Sequence, residues 1–157
     1  MPDPAAVHSS FTVERSYPRP PEAVFAAIAD PAKKRRWFAE SDHHDVLDYE
    51  SDFRVGGPER LRYRFTGETP VKGMIIANEG RFEDIVPGRR VVTSGSMWLM
   101  DACVSASLVT MEIVPEGDGT RLTCTFQGAF FEGSDGPQLR EMGWKLLLDS
   151  LGRFLAQ

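Results

Sequence analysis

The stretch that most limits what this chain can fold into is its last twenty residues, Gln138 to Gln157, reading QLREMGWKLLLDSLGRFLAQ. On a helix at 100° per residue, Trp144, Leu148, Leu151 and Leu155 fall on one narrow arc. Leu147 and Phe154 widen that arc on one side. Leu139, Met142 and Leu146 carry it further round. The only continuous polar strip is Glu141, Lys145, Asp149 and Arg153, spaced for Glu–Lys and Asp–Arg pairs on the solvent side. An apolar arc this wide exceeds what one packing surface needs. Two small residues, Gly143 and Ser150, sit near its middle. One flank of the helix is therefore expected to pack on a sheet, with the Gly143/Ser150 zone facing a cavity. The competing expectation is that the small residues let helix and sheet approach closely.

The remainder of the chain supplies the sheet. Phe11 to Tyr17 alternates as a strand that ends at Pro18. Pro20-Pro21-Glu22 opens a short helix with Val24, Phe25 and Ile28 on its apolar face. Asp30-Pro31 caps and restarts a second short helix, which carries Lys33, Lys34, Arg35 and Arg36 and ends near Trp37-Phe38. A polar segment follows, with one short strand near Val46-Leu47. Strands are then expected at Arg60–Phe65, Val71–Val86, Arg90–Met100, Val104–Val114 and Arg121–Gln127. They are separated by turn signals such as Pro87-Gly88 and Glu116-Gly117-Asp118-Gly119. Gly128 to Gly136 reads as a loop before the last helix. The expected class is α+β: a curved antiparallel sheet of about six to seven strands around the C-terminal helix. Residues 1–7 read as a flexible leader and residues 8–157 as a single domain.

Composition excludes several roles. Acidic residues exceed basic ones for a net charge of -5, which opposes a nucleic-acid face. No apolar run approaches ~20 residues, so no membrane span is expected. The N-terminus lacks a basic start and an apolar core, so a cytoplasmic location without a signal peptide is expected. Cys103 and Cys124 lie in apolar strand contexts and read as reduced thiols.

Motifs for chemistry are sparse. There is no P-loop, no dinucleotide fingerprint and no nucleophile elbow, so no cofactor and no catalytic residue is assigned. Asp42-His43-His44-Asp45 reads as a solvated loop, because adjacent strand residues point to opposite faces and cannot share one metal ion. Lys33 to Arg36 reads as a wet charge run. Asp52 and Arg54 read as a pair that pins a strand edge. Glu83, Tyr63, Asp101 and Arg54 are the only nominees for polar work in an interior. The informative set is apolar: Trp37, Phe38, Tyr63, Phe65, Phe82, Trp98, Met100, Met111, Phe126, Phe130 and Met142. Together with Gly143, Leu146, Leu147 and Ser150 these residues are the expected lining of an apolar cavity, with methionine suited to repacking around a guest.

Ordered along the chain, Pro21-Glu22-Ala23-Val24-Phe25, Asp30-Pro31, Trp37 and Asp52-Phe53-Arg54-Val55-Gly56-Gly57 form the first part of a longer pattern. It continues with Phe82-Glu83-Asp84-Ile85-Val86-Pro87, Gly119-Thr120-Arg121-Leu122-Thr123, Gly143-Trp144, Leu148 and Leu151. In this set the chain resembles the SRPBCC, or START/Bet v-like, helix-grip superfamily. More narrowly, it resembles the group related to the C-terminal domain of the activator of heat-shock protein 90 ATPase and to the calicheamicin-resistance protein. The resemblance implies a helix-grip fold and a small hydrophobic molecule as partner. It also carries two alternatives, a chaperone-interaction protein and a cyclase- or hydrolase-like enzyme. The full eukaryotic co-chaperone has a separate N-terminal domain for which this chain has no room. The relative's backbone-sacrifice chemistry finds no assignable glycine here. A homodimer through a strand edge or a helix is compatible with the pattern, which selects neither.

Overall fold

The computed structural model describes residues 5–157. Residues 1–4 of the expected leader lie outside the described residues, and the first strand, β1 (Val7–Tyr17), begins at Val7. Pro21 starts α1 (Pro21–Ala29), which buries Val24, Ala27 and Ile28 at helical spacing. Asp30 caps α2 (Pro31–Lys34), its carboxylate accepting from the Ala32 N–H at 2.9 Å. The helix then loosens into one π-helical turn, Arg35–Ala39. That turn swings Trp37 and Ala39 into the core. The Trp37 indole N–H donates to the Ala27 carbonyl at 2.8 Å, tying the turn back to α1.

Six further strands follow: β2 (His44–Ser51), β3 (Pro58–Phe65), β4 (Ile75–Val86), β5 (Arg90–Leu99), β6 (Ala102–Glu116) and β7 (Gly119–Phe130). They form one sheet in the order β1-β7-β6-β5-β4-β3-β2, with every pair antiparallel. The short strand expected near Val46-Leu47 is an eight-residue edge strand. Residues 71–74 form a turn instead of opening β4, and β7 runs on through Phe130 where a loop was expected. Register shifts at Val46/Asp48, Phe82/Asp84 and Met97/Trp98 bend the sheet, as bulges do by adding twist.

The helix α3 (Pro137–Leu155) lies across the concave face. Its C-terminal half is anchored. Leu148, Leu151 and Leu155 are buried with Val13, Tyr17, Leu122 and Cys124. The Tyr17 hydroxyl donates to the Leu148 carbonyl at 2.7 Å, and Arg19 donates to the Leu155 carbonyl at 2.7 Å. Asp149 is held by Arg15 of β1 at 2.8 Å, so it does not join Arg153 in the expected strip. Glu141 and Lys145 do pair, at 3.2 Å. The wide apolar arc splits in two: Leu139, Met142 and Leu146 are 58%, 57% and 63% exposed. The α3 backbone approaches β1, α1 and the π-turn most closely. One curved sheet, two short helices after the first strand and a long C-terminal helix make this the helix-grip arrangement.

Candidate functional site

Register explains where the interior is not filled. On the concave face, inward side chains line up in rows across the strands. Phe82, Thr93, Val109 and Phe126 form one row of ordinary size. Leu61, Asn78, Met97, Ser105 and Phe130 form another. Between them runs Glu59, Gly80, Gly95, Ser107 and Gly128, a row that beyond Glu59 has almost no side-chain volume. The central pair cannot be enlarged. A Cβ on Gly80 would fall 2.9 Å from the Ser94 carbonyl oxygen, and one on Gly95 would fall 2.8 Å from that of Glu79. The strands are drawn together there, and the floor beneath α3 is left bare.

Above this floor lies a cavity of two adjoining lobes, of about 100 Å³ and about 250 Å³. The smaller, inner lobe reaches Ile28, Val91 and Met111, and meets Lys34 and Glu59. The larger, outer lobe reaches Tyr63, Phe126, Gly143 and Leu147. Its far side is bordered by His44 and the exposed Leu139, so it opens beside the N-terminal half of α3. The two lobes share Phe38, Leu61, Met97, Val109 and Trp144 as apolar walls, and Asn78, Ser107 and Arg140 as polar ones.

Two ion pairs bound this space. Lys34 Nζ donates to both carboxylate oxygens of Glu59, at 2.7 and 2.9 Å, with both residues buried. The ammonium also sits 4.6 Å from the Phe38 ring centroid and 5.8 Å from that of Phe82, a cation–π arrangement. Tyr49 adds a weaker donor to Glu59 at 3.4 Å. The second pair is Arg140 with Asp135. Nε and Nη2 grip the two carboxylate oxygens at 2.8 and 2.7 Å, and Nη2 also reaches Ser105 Oγ at 3.1 Å. Phe126 and Phe130 lie 5.6 and 5.1 Å from the guanidinium carbon. Burial pushes the Asp135 carboxyl up, but the hydrogen bonds and charge of Arg140, with a bond from Ser134, outweigh it. The group is held below the usual carboxylate range. Desolvation pushes the Tyr63 hydroxyl up to about 12, so it stays protonated as a donor at the cavity wall.

Comparison with known proteins adds the lineage. The family model for Activator of Hsp90 ATPase homolog 1-like protein matches residues 18–156. The chain belongs to this family. Among solved structures, the Mll3558 protein from Rhizobium loti is 43% identical, with 96% of this chain and 99% of that chain covered and a TM-score of 0.84. An uncharacterized protein from Rhizobium leguminosarum is 34% identical over 97% of both chains, with a TM-score of 0.87. CalU16 from Micromonospora echinospora is 25% identical, covering 94% of this chain and 76% of its own, at a TM-score of 0.60. Among curated proteins none matches this chain.

In this family member the expected lining residues are divided among three environments. Phe38, Tyr63, Met111, Phe126, Gly143 and Leu147 border the cavity. Phe82 and Phe130 are buried in the core beside it, and Trp37 lies under the π-turn. Phe65 is half-buried against Tyr63, edge to face. The other five lie away from the cavity. Trp98 and Met100 lie at the outer end of β5 and in the following turn, where alternation carries Trp98 to the convex face. Met142 points to solvent. Leu146 and Ser150 border an outer groove beside Arg36 and Arg153, which adjoins the outer lobe through Phe38, His44 and Leu147.

The polar nominees fare differently. Glu83 pairs with Arg81 at 2.6 Å and Arg54 with Asp52 at 2.8 Å, both away from the cavity. Asp101 is exposed in the β5–β6 turn. Among the described residues, no group of three or more His, Cys, Asp or Glu side chains could hold a metal. His44 instead stacks on Tyr63 with ring centroids 4.1 Å apart. Both cysteines are free, and burial pushes the Cys124 thiol up to about 12. The charge run was misjudged at one position, since Lys34 is buried. Asn78, Met97, Ser107 and Arg140 were overlooked. Arg140 carried a readable signal: it precedes Trp144, Leu147 and Leu151 at helical spacing and so lies on the buried arc.

Proposed function

We propose that this protein binds a small, largely apolar molecule in the cavity beneath α3. The observation that carries this is the bare floor. Gly80, Gly95 and Ser107 replace full-sized side chains beneath the inner lobe, Ser107 extends that floor into the outer lobe, and aromatic and aliphatic groups surround both. The outer lobe exceeds the ~150 Å³ of an apolar cavity that accepts benzene. A guest burying ~300 Å² of apolar surface gains about 7 kcal/mol gross. Lost freedom on binding offsets part of this, leaving an expected affinity in the micromolar range.

Calorimetric titration with naphthalene, paired with thermal melts, tests this reading. Saturation at about 100 times Kd should add about 2.7 kcal/mol of stability. Absence of heat and of any melting shift across apolar probes from benzene to naphthalene would overturn it. The family name supports a rival, a chaperone-interaction protein. That reading predicts stimulation of heat-shock protein 90 ATPase, and we expect none. A cyclase- or hydrolase-like use of the cavity has weaker support, because Lys34 and Glu59 already occupy one another.

A further inference from the structure

We propose that the ligand is an uncharged molecule with a carbonyl acceptor at its middle and an apolar group on either side. This rests on the cavity being a ligand site, and it follows from where the unused donors lie and from how the charges are balanced. Both lobes share Arg140, Asn78 and Ser107, so the polar groups sit at the waist where the lobes meet and not at a closed end. Arg140 has most of its capacity spent: Nε and Nη2 are taken by Asp135 and Ser105. Among the described residues Nη1 has no partner, and neither the Asn78 amide nor the Ser107 hydroxyl has one. A guanidinium nitrogen and an amide N–H₂ that line the same space offer donors to a carbonyl oxygen, which has two lone pairs to receive them.

Charge balance decides against an acid. Asp135 stays ionised and neutralises Arg140, while Glu59 neutralises Lys34. A bound carboxylate would therefore bring an unmatched negative charge into a partly enclosed space whose two cations are already matched by two anions. A neutral carbonyl receives the Nη1 hydrogens without that penalty. The lobes fix the flanking groups. About 250 Å³ admits an aromatic ring, and about 100 Å³ admits a short alkyl chain.

Three probes separate the possibilities by calorimetry at neutral pH: butyrophenone, butylbenzene and 4-phenylbutanoate. The informative quantity is the ratio of ketone to hydrocarbon affinity, compared between the wild-type protein and variants, because differences in transfer from water then cancel. That ratio should fall about tenfold in Arg140→Met, as expected for losing a hydrogen bond from a charged donor. In Asn78→Leu, which keeps both ion pairs and serves if the arginine variant does not fold, it should fall about fivefold. The acid should bind about tenfold more weakly than the ketone. An unchanged ratio in a folded variant, or an acid that binds tighter than the ketone, overturns the carbonyl proposal while leaving an apolar ligand site standing. If none of the three binds, the ligand site itself is refuted and the proposal falls with it.

Discussion

Replacing Gly143 with alanine should stabilise this protein, which is unusual for a substitution on the inner side of a helix that covers a sheet. Gly143 lies in the interior of α3, where glycine costs about 0.8–1.0 kcal/mol relative to alanine. A methyl group placed there meets no atom within 4 Å, so no steric cost opposes the gain and no contact adds to it. The expected change is about +1 kcal/mol, or about 2–4 °C in Tm for a chain of this size. The same helix supplies a control. A Cβ on Gly152 would sit 3.3 Å from Tyr17 Cε1, and Tyr17 is fixed by burial and by its bond to the Leu148 carbonyl. Gly152→Ala should therefore gain less than Gly143→Ala or lose stability outright. Gly143→Leu should keep most of the propensity gain and weaken naphthalene binding by filling the outer lobe. Thermal melts and urea titrations of the three variants read all of this. If Gly143→Ala destabilises as much as Gly152→Ala, the helix is packed tightly at both positions and the outer lobe does not exist.

Other outcomes follow from the ion pairs and hydrogen bonds. Lys34→Met alone should cost about 3–5 kcal/mol by leaving Glu59 buried without its partner, whereas Lys34→Met with Glu59→Leu should be close to neutral in denaturant titrations. Tyr17→Phe should lose about 1 kcal/mol with the bond to α3, measured by the same titrations. The folded Asp135 carboxyl is held below its unfolded value, so its contribution is fully present above the ordinary carboxylate range. It is lost as pH falls through the folded value. Asp135→Asn should accordingly flatten the acid limb of a plot of stability against pH, with little change in the shape above about pH 5; an unaltered acid limb would show that Asp135 is not the group responsible.

The sequence carried the local parts of this architecture and lost the non-local ones. Alternation in Leu61-Arg62-Tyr63, proline at position 21 and the leucine arc of α3 each depend on neighbours a few residues away, and each reads directly. The bare floor does not. Gly80, Gly95 and Ser107 matter because pairing brings them side by side, and register is set across the sheet and not along the chain. Lys34 looked solvated because its partner, Glu59, is supplied by a strand twenty-five positions later. Trp98 and Met100 were drawn into the interior by residue type, although strand alternation already placed Trp98 opposite Met97. Leu139, Met142 and Leu146 show the reverse effect. Helical periodicity groups them with the buried arc, but the sheet curves away and leaves them uncovered.

Native mass spectrometry of the protein isolated from its host without detergent most directly tests whether the space beneath α3 is a ligand cavity. A discrete added mass of a few hundred daltons or less should accompany the wild-type chain and should be absent from Gly143→Leu. A bare chain in both preparations, or an adduct retained unchanged by the leucine variant, would contradict it.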